Sequence, residues 1–283
     1  MKPGTRKFQT LILSAALITG AAGLSARADE ATAGKPGEGH SAGEAAAAPA
    51  AEAPAPAKDW SVTVGGDWYS EYIFRGVDLL TNDPVLVPSV IAKWKGLTAY
   101  YYGYYGDSDA PNNNWYEEAD FGGDYTQPLF DSKLALTVGA LGYIYPDGVS
   151  GRDTWEVYGK AAWSNYLNPY IAVNWDVDAF HGGYGVVGVT HTYDLGKYIK
   201  LKDGMSLSII PTAQLGIDFG YNWRGTKDNV TWNDVLLGVN IPFYITPALC
   251  LHAQYQCSIA LNSLNSIGQG NESIANVGVS YAF

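Results

Sequence analysis

From residue 61 to the C-terminus, apolar and polar side chains alternate with a period of two, the pattern of strands with one apolar face. On 62–74, Val62, Val64, Gly66, Trp68, Ser70, Tyr72 and Phe74 share one face, and Thr63, Gly65, Asp67, Tyr69, Glu71, Ile73 and Arg75 share the other. On 154–164, Trp155, Val157, Ala161 and Trp163 oppose Glu156, Tyr158, Lys160 and Ser164. On 205–219, Met205, Leu207, Ile209, Leu215, Ile217 and Phe219 oppose Ser206, Ser208, Thr212, Gln214 and Asp218. Residues 115–126, 169–179 and 273–283 behave alike. Glycine and proline recur too often for long helices, and no apolar stripe of period 3.6 stands out.

Such alternation fits a soluble sandwich, which buries its apolar faces, or a membrane barrel, which turns them to lipid. Strand length separates the two. Soluble strands are usually about 5–6 residues, whereas a tilted spanning strand needs ~9–11, and several segments here hold register for at least that long. The pattern predicts an all-β, transmembrane, antiparallel up-and-down barrel of about 12 strands. They fall at 61–75, 85–95, 97–105, 115–126, 133–145, 154–164, 168–179, 184–194, 204–219, 230–243, 247–260 and 272–283. Connections at 96, 165–167 and 244–246 are short, and those at 76–84, 106–114, 146–153, 220–229 and 261–271 are long and polar. That is the turn and loop asymmetry of outer-membrane barrels. Two connections fit poorly: 195–203 is long for a turn and 180–183 short for an outer loop. Trp60, Phe74, Tyr143, Tyr145, Trp155, Trp163, Phe219, Tyr221, Phe243, Tyr281 and Phe283 lie near strand ends, as interfacial girdles require.

The first 59 residues read differently. Lys2, Arg6 and Lys7 precede a short apolar run from Leu11 to Leu24, and Ala26-Arg27-Ala28 forms a small-x-small cleavage site. Residues 1–28 are thus expected to be a secretory signal peptide. Residues 29–59 follow as an Ala/Pro-rich linker: 29–58 hold 12 alanines and 4 prolines with no aromatic or large aliphatic residue. Such a segment buries too little surface to offset its ordering entropy, and a disordered periplasmic tether is expected. The barrel would occupy 60–283, with both termini periplasmic.

Charge narrows the function classes. The chain carries 17 basic and 28 acidic residues, and loss of the leader removes four of the basic ones. So acidic a protein is a poor match for a phosphate backbone, and no nucleic-acid role is expected. Only 16% of residues are charged, fewer than the roughly 25% of soluble domains. A C-terminal aromatic, Phe283, closes the last alternating strand and resembles the signal read by the barrel assembly machinery.

One stretch is more distinctive. Ser70-Glu71-Tyr72-Ile73-Phe74-Arg75-Gly76-Val77, followed by Asn82-Asp83-Pro84, resembles the opening hairpin of the TorF-like porins of Gram-negative bacteria, also described as a conserved proteobacterial family of unknown function. Members typically show Ser-Asp-Tyr-x-Phe-Arg-Gly and then Asp-Pro. Gly142-Tyr143-Ile144-Tyr145-Pro146 and Glu156-Val157-Tyr158 are further matches. Glu71 stands where Asp is usual, and the 29–58 tether is not typical of that family. The resemblance implies an outer-membrane pore but hands on no substrate.

Little in the sequence points to catalysis or to a cofactor. His40, His181, His191 and His252 are the only histidines, and no serine motif accompanies His252, which is expected on the interior face in a structural role. No phosphate-cradling glycine loop or His/Cys metal spacing occurs. Asp107, Asp109 and Asn112 to Asn114 lack the closing glutamate of a calcium loop. Cys250 and Cys257 fall on opposite faces of one strand, roughly 23 Å apart at ~3.3 Å per residue, and are expected as free thiols.

What remains is the lumen. The registers turn Asp67, Glu71, Glu118, Asp120, Asp124, Glu156, Asp176, Asp178, Asp218 and Asp234 inward, against Arg75, Lys93, Lys95 and Lys160. Lining charge of one sign concentrates the opposite ion. The expectation is a porin-like channel for small hydrophilic solutes, favouring cations or neutral polar molecules. Tyr69, Tyr158 and Tyr170 would offer stacking surfaces. Two alternatives stay open: Arg75 is a selectivity residue or a structural staple, and the barrel is an open channel or a closed envelope anchor acting through its loops. The sequence specifies neither oligomeric state nor solute.

Overall fold

A computed structural model describes residues 60–107, 115–146, 152–221 and 230–283. The leader and tether expected at 1–59 lie outside the described residues, as do Asp109 and Asn112 to Asn114. In chain order the elements are β1 (Trp60–Tyr69), β2 (Ile73–Phe74), β3 (Val77–Asp78), β4 (Val85–Trp94), β5 (Leu97–Asp107), β6 (Trp115–Leu129), β7 (Leu134–Ile144) and β8 (Thr154–Trp163). There follow β9 (Tyr170–Asp176), β10 (Gly183–Thr190), β11 (Tyr193–Asp194), β12 (Ser206–Phe219), β13 (Val230–Tyr244), β14 (Leu249–Ala260), the one-turn helix α1 (Asn262–Ser266) and β15 (Glu272–Ala282).

Twelve of the strands close into an antiparallel barrel. Neighbours in sequence pair along the wall, β10 bonds to β12, and the first strand meets the last through Val64 opposite Tyr281 and Trp68 opposite Val277. Closure leaves no sheet edge with unpaired backbone, which is what a strand-built membrane span demands. The two faces separate as the alternation predicts. Outward residues such as Trp68, Val90, Phe121, Val138, Trp155, Val173, Trp175, Leu237, Tyr255 and Val277 are exposed, while Asp67, Ser89, Asp120, Glu156, Asn174, Gln214 and Asn276 are buried inside.

The connections also alternate in length. Toward the end that carries Trp60 and Phe283, the turns at 95–96, 130–133, 164–169 and 245–248 are tight. The over-long connection there is explained by local structure. Strand β11 adds two rungs to β12, and Leu195–Lys197 form a 3-10 turn capped by the Asp194 carboxylate on the Gly196 N–H. At the other end, the short 177–182 connection folds over Asp176, whose Oδ1 accepts the backbone N–H groups of Asp178, Phe180 and His181.

The first strand differs from expectation. It leaves the wall at Tyr69, and the next residues turn inward as a small hairpin, β2–β3, with Ile73 opposite Asp78 and Phe74 opposite Val77. Arg75 and Gly76 form its two-residue turn, with φ of 49° and 79°, the positive pair that a type I′ hairpin uses. Tyr72 and Phe74, expected to face lipid, are instead 3% and 1% exposed. They join Tyr69, Tyr104, Tyr116, Tyr143, Tyr145 and Tyr221 in an aromatic cluster inside the barrel. Tyr143, Tyr145 and Tyr221 therefore leave the expected girdle as well, whereas Trp60, Trp155, Trp163, Tyr281 and Phe283 remain on the outer surface. Period two reports that a face is apolar. It does not report whether lipid or an interior cluster covers it.

Candidate functional site

The inward hairpin organises the loop-side half of the interior. At its tip the Arg75 guanidinium donates Nη1 to Glu156 Oε1 at 2.9 Å and Nη2 to Glu156 Oε2 at 2.7 Å. This two-pronged geometry matches the planar fork to the carboxylate. Tyr143 Oη and Asn174 Nδ2 also donate to Glu156 Oε2, at 3.0 and 3.1 Å, so the carboxylate is fixed from β7 and β9 as well. The guanidinium carbon lies 4.4 Å from the ring centre of Phe74, 4.4 Å from Tyr221 and 5.0 Å from Tyr184, inside cation–π range. Arg75 is 6% exposed and Glu156 not at all.

Two further contacts hold the hairpin. A register shift between β12 and β13 at Leu215 and Ile217 turns both Asn233 and Asp234 inward, as a bulge does. Asn233 Nδ2 then donates to the Arg75 carbonyl at 2.8 Å and to Asp234 Oδ1 at 2.9 Å. Opposite them, Leu264 of α1 is fully buried and covers Gly76, where a Cβ would collide with Leu264 Cδ1.

The remaining interior carboxylates have named donors in most cases. Tyr72 Oη donates to Glu118 Oε2 at 3.2 Å, and Tyr116 Oη donates to the same atom. Asp124 Oδ2 accepts Tyr158 Oη at 2.9 Å, and Asp176 Oδ2 accepts Thr154 Oγ1 at 2.6 Å. Asp218 accepts the Tyr221 N–H at 2.6 Å and Ser263 Oγ at 2.5 Å. Asp234 accepts Tyr184 Oη at 2.9 Å and Ser258 Oγ at 3.2 Å. Both carboxylate oxygens of Asp120 are buried without a hydrogen-bond partner. Asp67, two residues before the end of β1, lies 2.6 Å from His252 Nε2 and 3.1 Å from Asn276 Nδ2.

Placement of the sequence-derived residues follows from these contacts. Asp67, Glu118, Asp120, Asp124, Glu156, Lys160, Asp176, Asp218 and Asp234 lie buried on the interior wall, with half-buried Lys93 on the same face of β4. Lys160 Nζ stands 5.0 Å from the Tyr170 ring centre, and Tyr170 Oη donates to Gln214 at 2.8 Å. Four placements need correction. Glu71 is in the connection between β1 and β2 and not on the wall, because the strand ends at Tyr69. Arg75 reaches the lumen from the hairpin tip and not from a barrel strand. Asp178 is exposed at the rim, two residues past the end of β9. Lys95 sits in the β4–β5 turn with its ammonium over the Trp94 ring.

Sequence reasoning missed Asn233, Tyr184 and Tyr221 as partners of Arg75, and Leu264 as the cover of Gly76. The hairpin itself had a signal, since Arg75-Gly76 stands between two short apolar runs. The bulge that turns Asn233 inward had none. Cys250 is buried inside, Cys257 lies on the outer face, and both are free. Among the described residues, no group of three or more His, Cys, Asp or Glu side chains is arranged to hold a metal ion.

Comparison with solved structures pairs the barrel with the NanC porin at 15% identity and a TM-score of 0.49, covering 78% of this chain and 98% of that one. The KdgM porin aligns at 12% identity and a TM-score of 0.48, covering 79% and 99%. An outer membrane channel from Pseudomonas putida F1 aligns at 12% identity and a TM-score of 0.45, covering 80% and 96%. No curated protein matches the chain. The family described as "Bacterial protein of unknown function (Gcw_chp)" matches residues 51–262, and the chain belongs to that family.

Proposed function

We propose that the protein is an outer-membrane channel through which small hydrophilic solutes diffuse passively, without covalent chemistry, and that the β2–β3 hairpin is its constriction. The observation that carries this reading is the division of the closed wall into an apolar outer face and a polar inner one. A lipid-facing surface needs the first and an aqueous path needs the second. The TorF-like resemblance of residues 70–84 points the same way. Exposed Trp60, Trp155, Trp163, Tyr281 and Phe283 suit the membrane interfaces. In this reading both termini face the periplasm and Phe283 is read by the barrel assembly machinery. Interior carboxylates outnumber interior cations, which supports a preference for cations or neutral polar solutes over anions.

A second reading has its own observation. The hairpin and the tyrosines around it fill the loop-side half of the interior, with Tyr143 and Tyr221 at 0% exposure, as a closed envelope anchor would require. Conductance of the protein in planar bilayers separates the two. Stable, cation-selective steps that lose selectivity in Asp120→Asn/Asp124→Asn are expected of the channel. Silence from folded, heat-modifiable protein would promote the anchor.

A further inference from the structure

Glu156, Tyr184 and Tyr221 belong to three different parts of the barrel, β8, β10 and the connection just past β12. Together they make a receptor for one chemical group. A fully buried carboxylate takes two parallel N–H bonds, and two aromatic rings cover the planar cation at 4.4 and 5.0 Å. Tyr143 and Asn174 hold the carboxylate in place. An ammonium cannot reproduce the two-pronged fork, so the arrangement favours guanidinium over amine. The group that fills it belongs to the chain: Arg75, carried on a two-residue turn.

We propose that Glu156, Tyr184 and Tyr221 form a guanidinium-binding subsite of the lumen, which Arg75 occupies as a tethered ligand and which solutes bearing a guanidinium group enter in its place. The inference rests on the channel reading and names a solute class for it. A buried carboxylate left without its cation is strongly unfavourable, so a vacated subsite draws a replacement of matching shape. Asp176, across the β8–β9 pairing from Glu156, keeps that corner of the wall acidic.

The test uses the full chain with Arg75→Ala and two probes at equal ionic strength, methylguanidinium and methylammonium. Thermal unfolding in detergent micelles reads binding without any need for conduction. Methylguanidinium is expected to stabilise Arg75→Ala saturably, with methylammonium at least about tenfold weaker. Wild type, in which Arg75 competes for the subsite, should respond in the same sense but at higher methylguanidinium concentration, and Arg75→Ala/Glu156→Gln should not respond. Equal effects of the two probes, or an unchanged response after Glu156→Gln, overturn the subsite. If Arg75→Ala does not fold unaided, its refolding yield on dilution from urea replaces the melting curve. Recovery by methylguanidinium alone supports the subsite, and no recovery overturns it. Bilayer recordings separate this from the channel reading. Current through Arg75→Ala that methylguanidinium blocks supports both. A barrel that never conducts but is still stabilised by methylguanidinium removes the channel and leaves the subsite.

Discussion

Arg75 and Glu156 are 81 residues apart in sequence and meet inside the barrel at 2.9 and 2.7 Å through two parallel hydrogen bonds. The pair ties the inward hairpin to β8, and its burial sets the cost of breaking it. Arg75→Ala leaves Glu156 charged and enclosed, and should cost about 3–5 kcal/mol. Glu156→Gln leaves the Arg75 guanidinium buried against a neutral amide and should cost a similar amount. The double variant should lose less than the sum of the two singles. Urea unfolding in detergent micelles, run as a double-mutant cycle, measures the coupling.

Gly76 answers to two constraints at once. Its φ of 79° favours glycine, and Leu264 Cδ1 occupies the place of a Cβ. Gly76→Ala is expected to destabilise the barrel by about 1–3 kcal/mol. Adding Leu264→Ala removes the collision but opens a gap, so it should not restore wild-type stability. The same urea titration reads both.

Glu71 offers a pH dependence outside the spanning strands. Burial, then the Asp78 and Glu272 carboxylates, raise its pKa above the ordinary glutamate value, and its Oε2 has no hydrogen-bond partner. A raised folded-state pKa means that the proton binds more tightly in the native state. The contribution is therefore fully present below the unfolded pKa and lost as pH rises through the folded one. Glu71→Gln should be more stable than wild type at neutral pH, and the difference should vanish in acid. Paired melting curves across the carboxylate range check the sign. A gain that grows on acidification would refute it.

Val138 is 63% exposed in the middle of β7, where the outer face meets hydrocarbon in the membrane reading. Val138→Arg should cost about 2–4 kcal/mol in vesicles. The same change on a soluble surface would cost little. Unfolding from lipid vesicles distinguishes the two.

Cys250 faces the interior and Cys257 the outside of the same strand. No shift in mobility is expected between reduced and unreduced protein. A hydrophilic maleimide should label neither thiol in the membrane-inserted barrel and both after unfolding in urea.

The alternation made most of the wall legible. Trp155, Val157, Ala161 and Trp163 against Glu156, Tyr158, Lys160 and Ser164 follow one rule, because successive side chains on a strand point to opposite faces. A strand paired on both sides repeats that rule wherever it stands. The same rule misread Tyr72 and Phe74, since the pattern on 70–75 continues unbroken through a point where the backbone leaves the wall.

By itself, the sequence determined an all-β barrel of about twelve strands, the two faces of the wall and most of the alternation of tight turns with long connections. These rest on local geometry, on periodicity and on the solvent each face can tolerate. Tertiary structure alone decided that Arg75 reaches Glu156, that a bulge turns Asn233 to the Arg75 carbonyl, and that Leu264 closes over Gly76. Each of these joins residues distant in the chain, and their distances depend on barrel closure and on the fold of the inward hairpin. An interior aromatic and a lipid-facing one are equally apolar in sequence, so only the closed barrel separates Phe74 from Trp68.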